Sequence, residues 1–209
     1  ESRGKHDLLA QVRATLPAGV RLSTVLQPQA LGLGHAVWCA RELVGNEPFA
    51  VMLPDDLVLA DRPCLAQMID AWQEVGGNMA AVEEVPAEDT ARYGILRVTG
   101  ERGALVAADS LVEKPQPAEA PSRLAIIGRY IIDPAVLRVL DAGKRGAGGE
   151  IQLTDALVDS MPAAPFHGLR FQGRRVDCGT PAGLLEASVR LAARQPAMRA
   201  SIAKWLGES

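Results

Sequence analysis

The sequence predicts an α/β fold, a mostly parallel mixed sheet with helices on both faces. Two observations carry that prediction. Apolar runs that read as buried strands alternate with amphipathic helical stretches along the whole chain, a pattern that wraps helices around a sheet. The 209 residues are 48% hydrophobic and 22% charged, enough for one sizeable core. No repeat, linker or low-complexity tract interrupts the pattern, so residues 1–209 read as a single domain.

Each element has a local reason. Leu8, Leu9, Val12 and Leu16 recur at helical spacing, giving a helix over residues 5–16 that Pro17 and Gly19 end. Val20 to Leu26 is β-prone, and Gln27 to Gly34 is a loop leading into a helix over Ala36 to Val44. Phe49 to Leu53 reads as a buried parallel strand that stops at Pro54-Asp55-Asp56. Pro63 to Val75 is a helix with proline in its first turn. Met79 to Val85 and Tyr93 to Val98 are strands, the second turning through Gly100 to Gly103. Leu124 to Ile132 is a central strand, followed by helices over Ala135 to Leu140 and Glu150 to Met161. Phe166 to Phe171 and Arg175 to Val176 are short strands, and Pro181 to Arg194 and Met198 to Leu206 close the chain as helices.

The charge pattern narrows the partners. The net charge is -3 and the basic residues are scattered, which argues against nucleic acid. No apolar run approaches the ~20 residues that span a bilayer, so no membrane partner is expected. Cys39, Cys64 and Cys178 form no CxxC pair and read as reduced thiols of a cytoplasmic protein. The three histidines have no zinc-ligand spacing. The start Glu1-Ser2-Arg3-Gly4-Lys5-His6 is polar, unlike a signal peptide, and has no initiator Met. Upstream sequence is therefore expected.

Chemistry-bearing residues cluster after strands, where open α/β sheets bind ligands. Gln27 and Gly32 lie in a glycine loop before a helix start, where backbone can approach a ligand. A Gln amide offers both a donor and an acceptor to a base edge; an ordinary strand-to-helix turn explains the loop equally well. Asp55 and Asp177 each follow a strand and suit a hard cation such as Mg²⁺, although capping or a solvated turn also accounts for either one. Only one carboxylate of the Asp55-Asp56 pair is expected at the cation, because neighbours in extended chain point apart. Glu113 and Lys114 pair an acceptor for hydroxyls with a cation for phosphate, or form a plain surface pair. Gly94 opens a strand and offers a backbone N–H.

The order of seven short motifs is more specific than any of them: GLGHAV (Gly32 to Val37), LPDD (Leu53 to Asp56), YGIL (Tyr93 to Leu96), VEKP (Val112 to Pro115), AIIGRYI (Ala125 to Ile131), GEIQLTDA (Gly149 to Ala156) and DCGTP (Asp177 to Pro181). Together they resemble the sugar-nucleotide pyrophosphorylases, most closely the bacterial UTP–glucose-1-phosphate uridylyltransferases. The resemblance implies a Rossmann-like (GT-A-like) nucleotidyltransferase fold, UTP and glucose 1-phosphate as partners, and a homodimer or homotetramer. It implies uracil contacts from Gln27 and Gly32, Mg²⁺ held by Asp55 and Asp177, glucose hydroxyls bound by Gly94 and Glu113, and the sugar phosphate held by Lys114. Lys114, Asp55 and Asp177 would be the catalytic set. It assigns no role to Arg129, Glu150 or Asp155, and His35 reads as helix-start packing.

One departure stands out. The family opens with a strand and a Gly-rich loop bearing Arg and Lys that grips the triphosphate, and residues 1–209 contain no such stretch. The domain is thus expected to lack that segment. Three other readings compete. A non-catalytic nucleotide-sugar-binding or assembly protein fits if the segment is truly absent. Another hexose-1-phosphate nucleotidyltransferase would share the scaffold. A nicotinamide-binding fingerprint is opposed by Val37, where a small residue is needed, and by the residues separating Leu26 from Gly32.

Overall fold

A computed structural model describes residues 6 to 207; Lys5, where the first helical pattern begins, lies outside the described residues. The strands are β1 (Phe49–Met52), β2 (Asp56–Leu59), β3 (Asn78–Glu84), β4 (Gly94–Arg102), β5 (Leu105–Glu113), β6 (Leu124–Ile132), β7 (Phe166–Arg170) and β8 (Arg174–Asp177). The helices are α1 (His6–Ala14), α2 (Leu33–Cys39), α3 (Arg41–Val44), α4 (Cys64–Val75), α5 (Ala135–Leu140), α6 (Leu153–Ser160), α7 (Pro181–Ala192) and α8 (Pro196–Gly207).

Strand β6 is buried at every position but Arg129, and it organises the sheet. The order is β1-β6-β3-β7-β5-β4, and β2 with β8 forms a separate two-stranded ribbon. Alternation sends Ile126 and Ile132 of β6 into one core with α2, α5 and α6. Ile127 and Ile131 enter a second core against Met68 of α4. Helices therefore cover both faces, as the sequence predicts.

Strand direction corrects the expectation of a mostly parallel sheet. Only β3 and β7 pair in parallel among the described ladders; β6 runs antiparallel to both β1 and β3, and β4 to β5. Strand–helix alternation reveals crossovers but not neighbours. β6 inserts between β1 and β3, which share a direction, and β4 and β5 are joined by a short turn at Gly103, which permits only an antiparallel pair.

Local differences follow similar physics. Val20 to Leu26 forms no ladder among the described residues and stays exposed, Leu22 at 73% and Leu26 at 82%; a β-prone run without a partner edge is not a strand. The helix expected over Ala36 to Val44 starts at Leu33 and breaks at Ala40 into α2 and α3. Four residues led by an aspartate make β2, a strand that hydrophobic periodicity does not reveal.

Candidate active site

One cavity of about 370 Å³ gathers Asp55, Asp177, Gly94, Glu113 and Lys114. Two structural units bring these residues together. The first is the β2–β8 ribbon, whose register places Asp56 opposite Asp177. Asp55 immediately precedes it, and its carbonyl oxygen accepts from the Cys178 N–H at 2.6 Å. The two acids are thus neighbours in space at one end of the ribbon. The second unit is the open end of the β4–β5 hairpin, where Gly94 pairs with Glu113.

A buried network holds the ribbon to the sheet. The Asp56 carboxylate accepts the Gly128 N–H of β6 at 2.8 Å and is ion-paired to Arg175. Arg175 also donates to Glu83 at 3.2 Å and to the Tyr93 hydroxyl at 3.1 Å. Burial pulls the pKa of this guanidinium down, but the bonds to Tyr93 and Asp56 reverse that and hold it above its ordinary value. Arg129 donates to the carbonyls of Leu53 and Gly128 at 2.7 and 2.8 Å, and to that of Asp56. It clamps the chain where β1 turns into β2. Of the two adjacent aspartates, Asp56 is committed to the scaffold and Asp55 stays exposed at the cavity.

The carboxylates of Asp55 and Asp177 converge. A Cβ at Gly179 would lie 3.1 Å from Asp177 Oδ1 and 3.3 Å from Asp55 Oδ2. Only glycine leaves the space between them open. Two hard oxygen donors beside open space suit Mg²⁺, which takes one or two carboxylates and completes its shell with water or substrate phosphate. No described cluster holds three or more His, Cys, Asp or Glu ligands, so such an ion would depend on the substrate for its remaining partners. Asp177 is meanwhile engaged by Arg92 at 3.0 Å through its other oxygen.

A second group of residues lining the same cavity suits a polyol phosphate. The Thr154 hydroxyl donates to Glu113 Oε2 at 2.6 Å and leaves Oε1 available, with Lys114 Nζ 3.8 Å from it. A Cβ on Gly94 would meet Glu113 Oε2 at 3.3 Å and Thr154 Oγ1 at 3.4 Å, so a side chain there would crowd this end. Lys114 is the only non-glycine with positive φ among the described residues, at 47°. Its N–H bonds the Tyr93 carbonyl at 3.0 Å, and Pro115 follows, so its neighbours impose a conformation that costs about 1–3 kcal/mol. Tyr130 lines the same cavity; burial, then the charges of Glu113 and Asp56, push its pKa up and keep the phenol protonated.

Gln27 and Gly32 do not line this cavity. They lie beside it: a Cβ on Gly32 would meet Glu150 Cβ at 2.8 Å, and Glu150 and Leu33 are in the cavity wall. His35 is buried and stacks on Trp38, the packing role expected of it. Sequence reasoning missed Arg92, Thr154 and Arg175. Period two on β8 puts Arg175 and Asp177 on one face, a signal available in the sequence. Thr154 sits inside the quoted GEIQLTDA motif, but its pairing with Glu113 depends on the fold.

Comparison with known proteins decides the family. The nucleotidyl transferase family model matches residues 2–194. The chain belongs to the nucleotidyl transferase family. This nucleotidyl transferase is 41% identical over 208 residues to a UTP–glucose-1-phosphate uridylyltransferase of Komagataeibacter xylinus, covering 99% of the chain and 70% of the relative. It is 38% identical over 204 residues to a UTP–glucose-1-phosphate uridylyltransferase of Bacillus subtilis, covering 98% of the chain and 68% of the relative. Among solved structures, a UDP-glucose pyrophosphorylase from Acinetobacter baumannii superposes with a TM-score of 0.86 at 34% identity, covering 99% of this nucleotidyl transferase and 72% of that chain. A UDP-glucose pyrophosphorylase complexed with UDP-glucose superposes with a TM-score of 0.76 at 40% identity, covering 80% and 64%. The chain therefore spans roughly 70% of the length of the curated relatives it matches.

Proposed function

We propose that this nucleotidyl transferase moves the uridylyl group of UTP to glucose 1-phosphate, forming UDP-glucose and pyrophosphate. The observation that carries the reading is the presence, in the wall of one cavity, of both a converging carboxylate pair and a Glu113–Lys114 pair. The names of its relatives support it.

A phosphate oxygen of glucose 1-phosphate attacks the α-phosphorus of UTP, a new P–O bond forms, and the bond to pyrophosphate breaks. The attacker is already an anion at neutral pH, so no protein base is required. The protein aligns two anions and offsets their charge. Lys114 neutralises the sugar phosphate, and Glu113, steadied by Thr154, accepts from glucose hydroxyls beside Gly94. Gln27 and Gly32 contact the uracil. Asp55 and Asp177 would hold Mg²⁺, which when bound would supply positive charge to offset that of the reacting phosphates. Arg92 must share or release Asp177 in that state. We further infer a cytoplasmic homodimer or homotetramer. The free thiols Cys39, Cys64 and Cys178 fit a reducing compartment. Leu184, Leu185 and Trp205, exposed on α7 and α8, offer apolar surface to a second copy.

Pyrophosphate release from UTP, dTTP, CTP and ATP with glucose 1-phosphate tests the assignment in the full-length protein. UTP is expected to dominate; equal rates for all four, or none for UTP, would overturn it. Lys114→Ala is expected to raise KM for glucose 1-phosphate or lower kcat at least tenfold, or about 1.4 kcal/mol; unchanged values would remove Lys114 from the site.

A further inference from the structure

The side chain of Gln27 is pinned at both of its N–H groups. Its Nε2 lies 3.1 Å from the Gly32 carbonyl oxygen and 3.1 Å from His35 Nδ1. A carbonyl oxygen only accepts, so the group facing Gly32 is the NH₂ and not the amide oxygen. The second N–H of that NH₂ faces His35 Nδ1, which must then be the bare, accepting ring nitrogen. The ring proton resides on Nε2, where Cys39 Sγ accepts it at 3.7 Å. The ring cannot swing away. It is buried at 8% exposure and stacks on Trp38 with centroids 5.9 Å apart.

We propose that His35 is a positioning residue that selects the base: it restricts Gln27 to accepting a hydrogen bond, so the site takes pyrimidines with an N3–H, uracil or thymine, and rejects cytosine. The inference rests on the reading of Gln27 as the base contact. With both N–H groups committed, Gln27 has only Oε1 left for a ligand. Uracil and thymine carry a proton on N3 and satisfy that acceptor. Cytosine carries a lone pair there, so two acceptors would face each other, and an unpaired polar group in a formed site is strongly rejected. Without His35, Gly32 still holds one N–H, but the other is free to donate to the cytosine N3. Gly32 and His35 both belong to the turn that opens α2, so folding that turn also sets the base preference.

The test compares kcat/KM for UTP and CTP in the full-length protein. His35→Leu is expected to lower the UTP:CTP ratio at least about tenfold through nucleotide KM, with KM for glucose 1-phosphate unchanged. His35→Gln, whose amide oxygen accepts where Nδ1 did, is expected to restore most of the ratio. An unchanged ratio in His35→Leu overturns the proposal. Gln27→Leu separates the two levels. If it alters the ratio while His35→Leu does not, only the positioning role falls; if it too leaves the ratio unchanged, the base contact itself is wrong. Should His35→Leu fail to fold, ¹⁵N resonances of the histidine rings in the unsubstituted protein report the tautomer directly, and a proton on Nδ1 of His35 overturns the proposal.

Discussion

Adjacent aspartates divide two tasks. Asp56 is 8% exposed and satisfies Gly128 and Arg175, whereas Asp55 faces the cavity. Removing the carboxylate of Asp56 leaves Arg175 with Glu83 as its remaining carboxylate partner and leaves the buried Gly128 N–H without its acceptor, which costs about 1–3 kcal/mol. Asp56→Ala is therefore expected to unfold in urea with stability reduced by that amount. Asp55→Ala is expected to keep its stability within about 0.5 kcal/mol and to lose turnover. Wild-type rates in Asp55→Ala would remove that residue from the cation site. Gly179 makes the matching case for empty space. Gly179→Ala inserts a methyl 3.1 and 3.3 Å from the two cavity carboxylates. Titration calorimetry is expected to show Mg²⁺ binding weakened by about tenfold or more, with the melting temperature little changed.

The ribbon and the helix that follows it form one device. Thr180 caps α7 by accepting the Gly183 N–H at 3.1 Å, and the turn is so tight that a Cβ on Gly183 would fall 1.7 Å from the Asp177 carbonyl oxygen. Gly183→Ala must displace the β8–α7 turn and Asp177 with it. Turnover is expected to fall at least about tenfold, or 1.4 kcal/mol in the barrier, while the far-UV spectrum is kept; unchanged turnover would mean that the turn relaxes without moving the acid. These elements were unequally legible in the sequence. β6 announces itself because a strand buried on both faces is apolar throughout, whatever its direction. β2 does not, because its pairing with Arg174 to Asp177 is set by a distant segment. Val20 to Leu26 has β propensity and no partner among the described residues, so propensity misleads. In the candidate site, strand-end acids and the Glu–Lys pair could be marked from position alone. The Asp56–Arg175 and Glu113–Thr154 pairings depend on which strands and helices become neighbours.

Across the molecule, the three thiols measure how well the two cores are sealed. Cys64 packs against Met68 and Ile127 at 5% exposure, and burial, partly offset by Arg129, raises its pKa from 9.0 to about 11. Cys39 and Cys178 are partly exposed. At pH 8 a thiol reagent is expected to label Cys39 and Cys178 in the native protein and Cys64 only after denaturation; rapid native labelling of Cys64 would mean that the α4 face opens readily. The sign of the pH effect follows. Between pH 9 and about 11 the unfolded thiol ionises while the folded one keeps its proton, so stability falls as pH rises through that window. The β2–β8 ribbon has a temporal consequence as well. Its Asp56–Arg175 pair joins residues 119 positions apart. A chain emerging from the ribosome therefore exposes Asp55 long before Asp177 exists, and domains complete such long-range pairings late. The proposed cation site forms only after the segment bearing Asp177 has been made, so a nascent chain stalled before that point can bury much of its sheet yet remain inert.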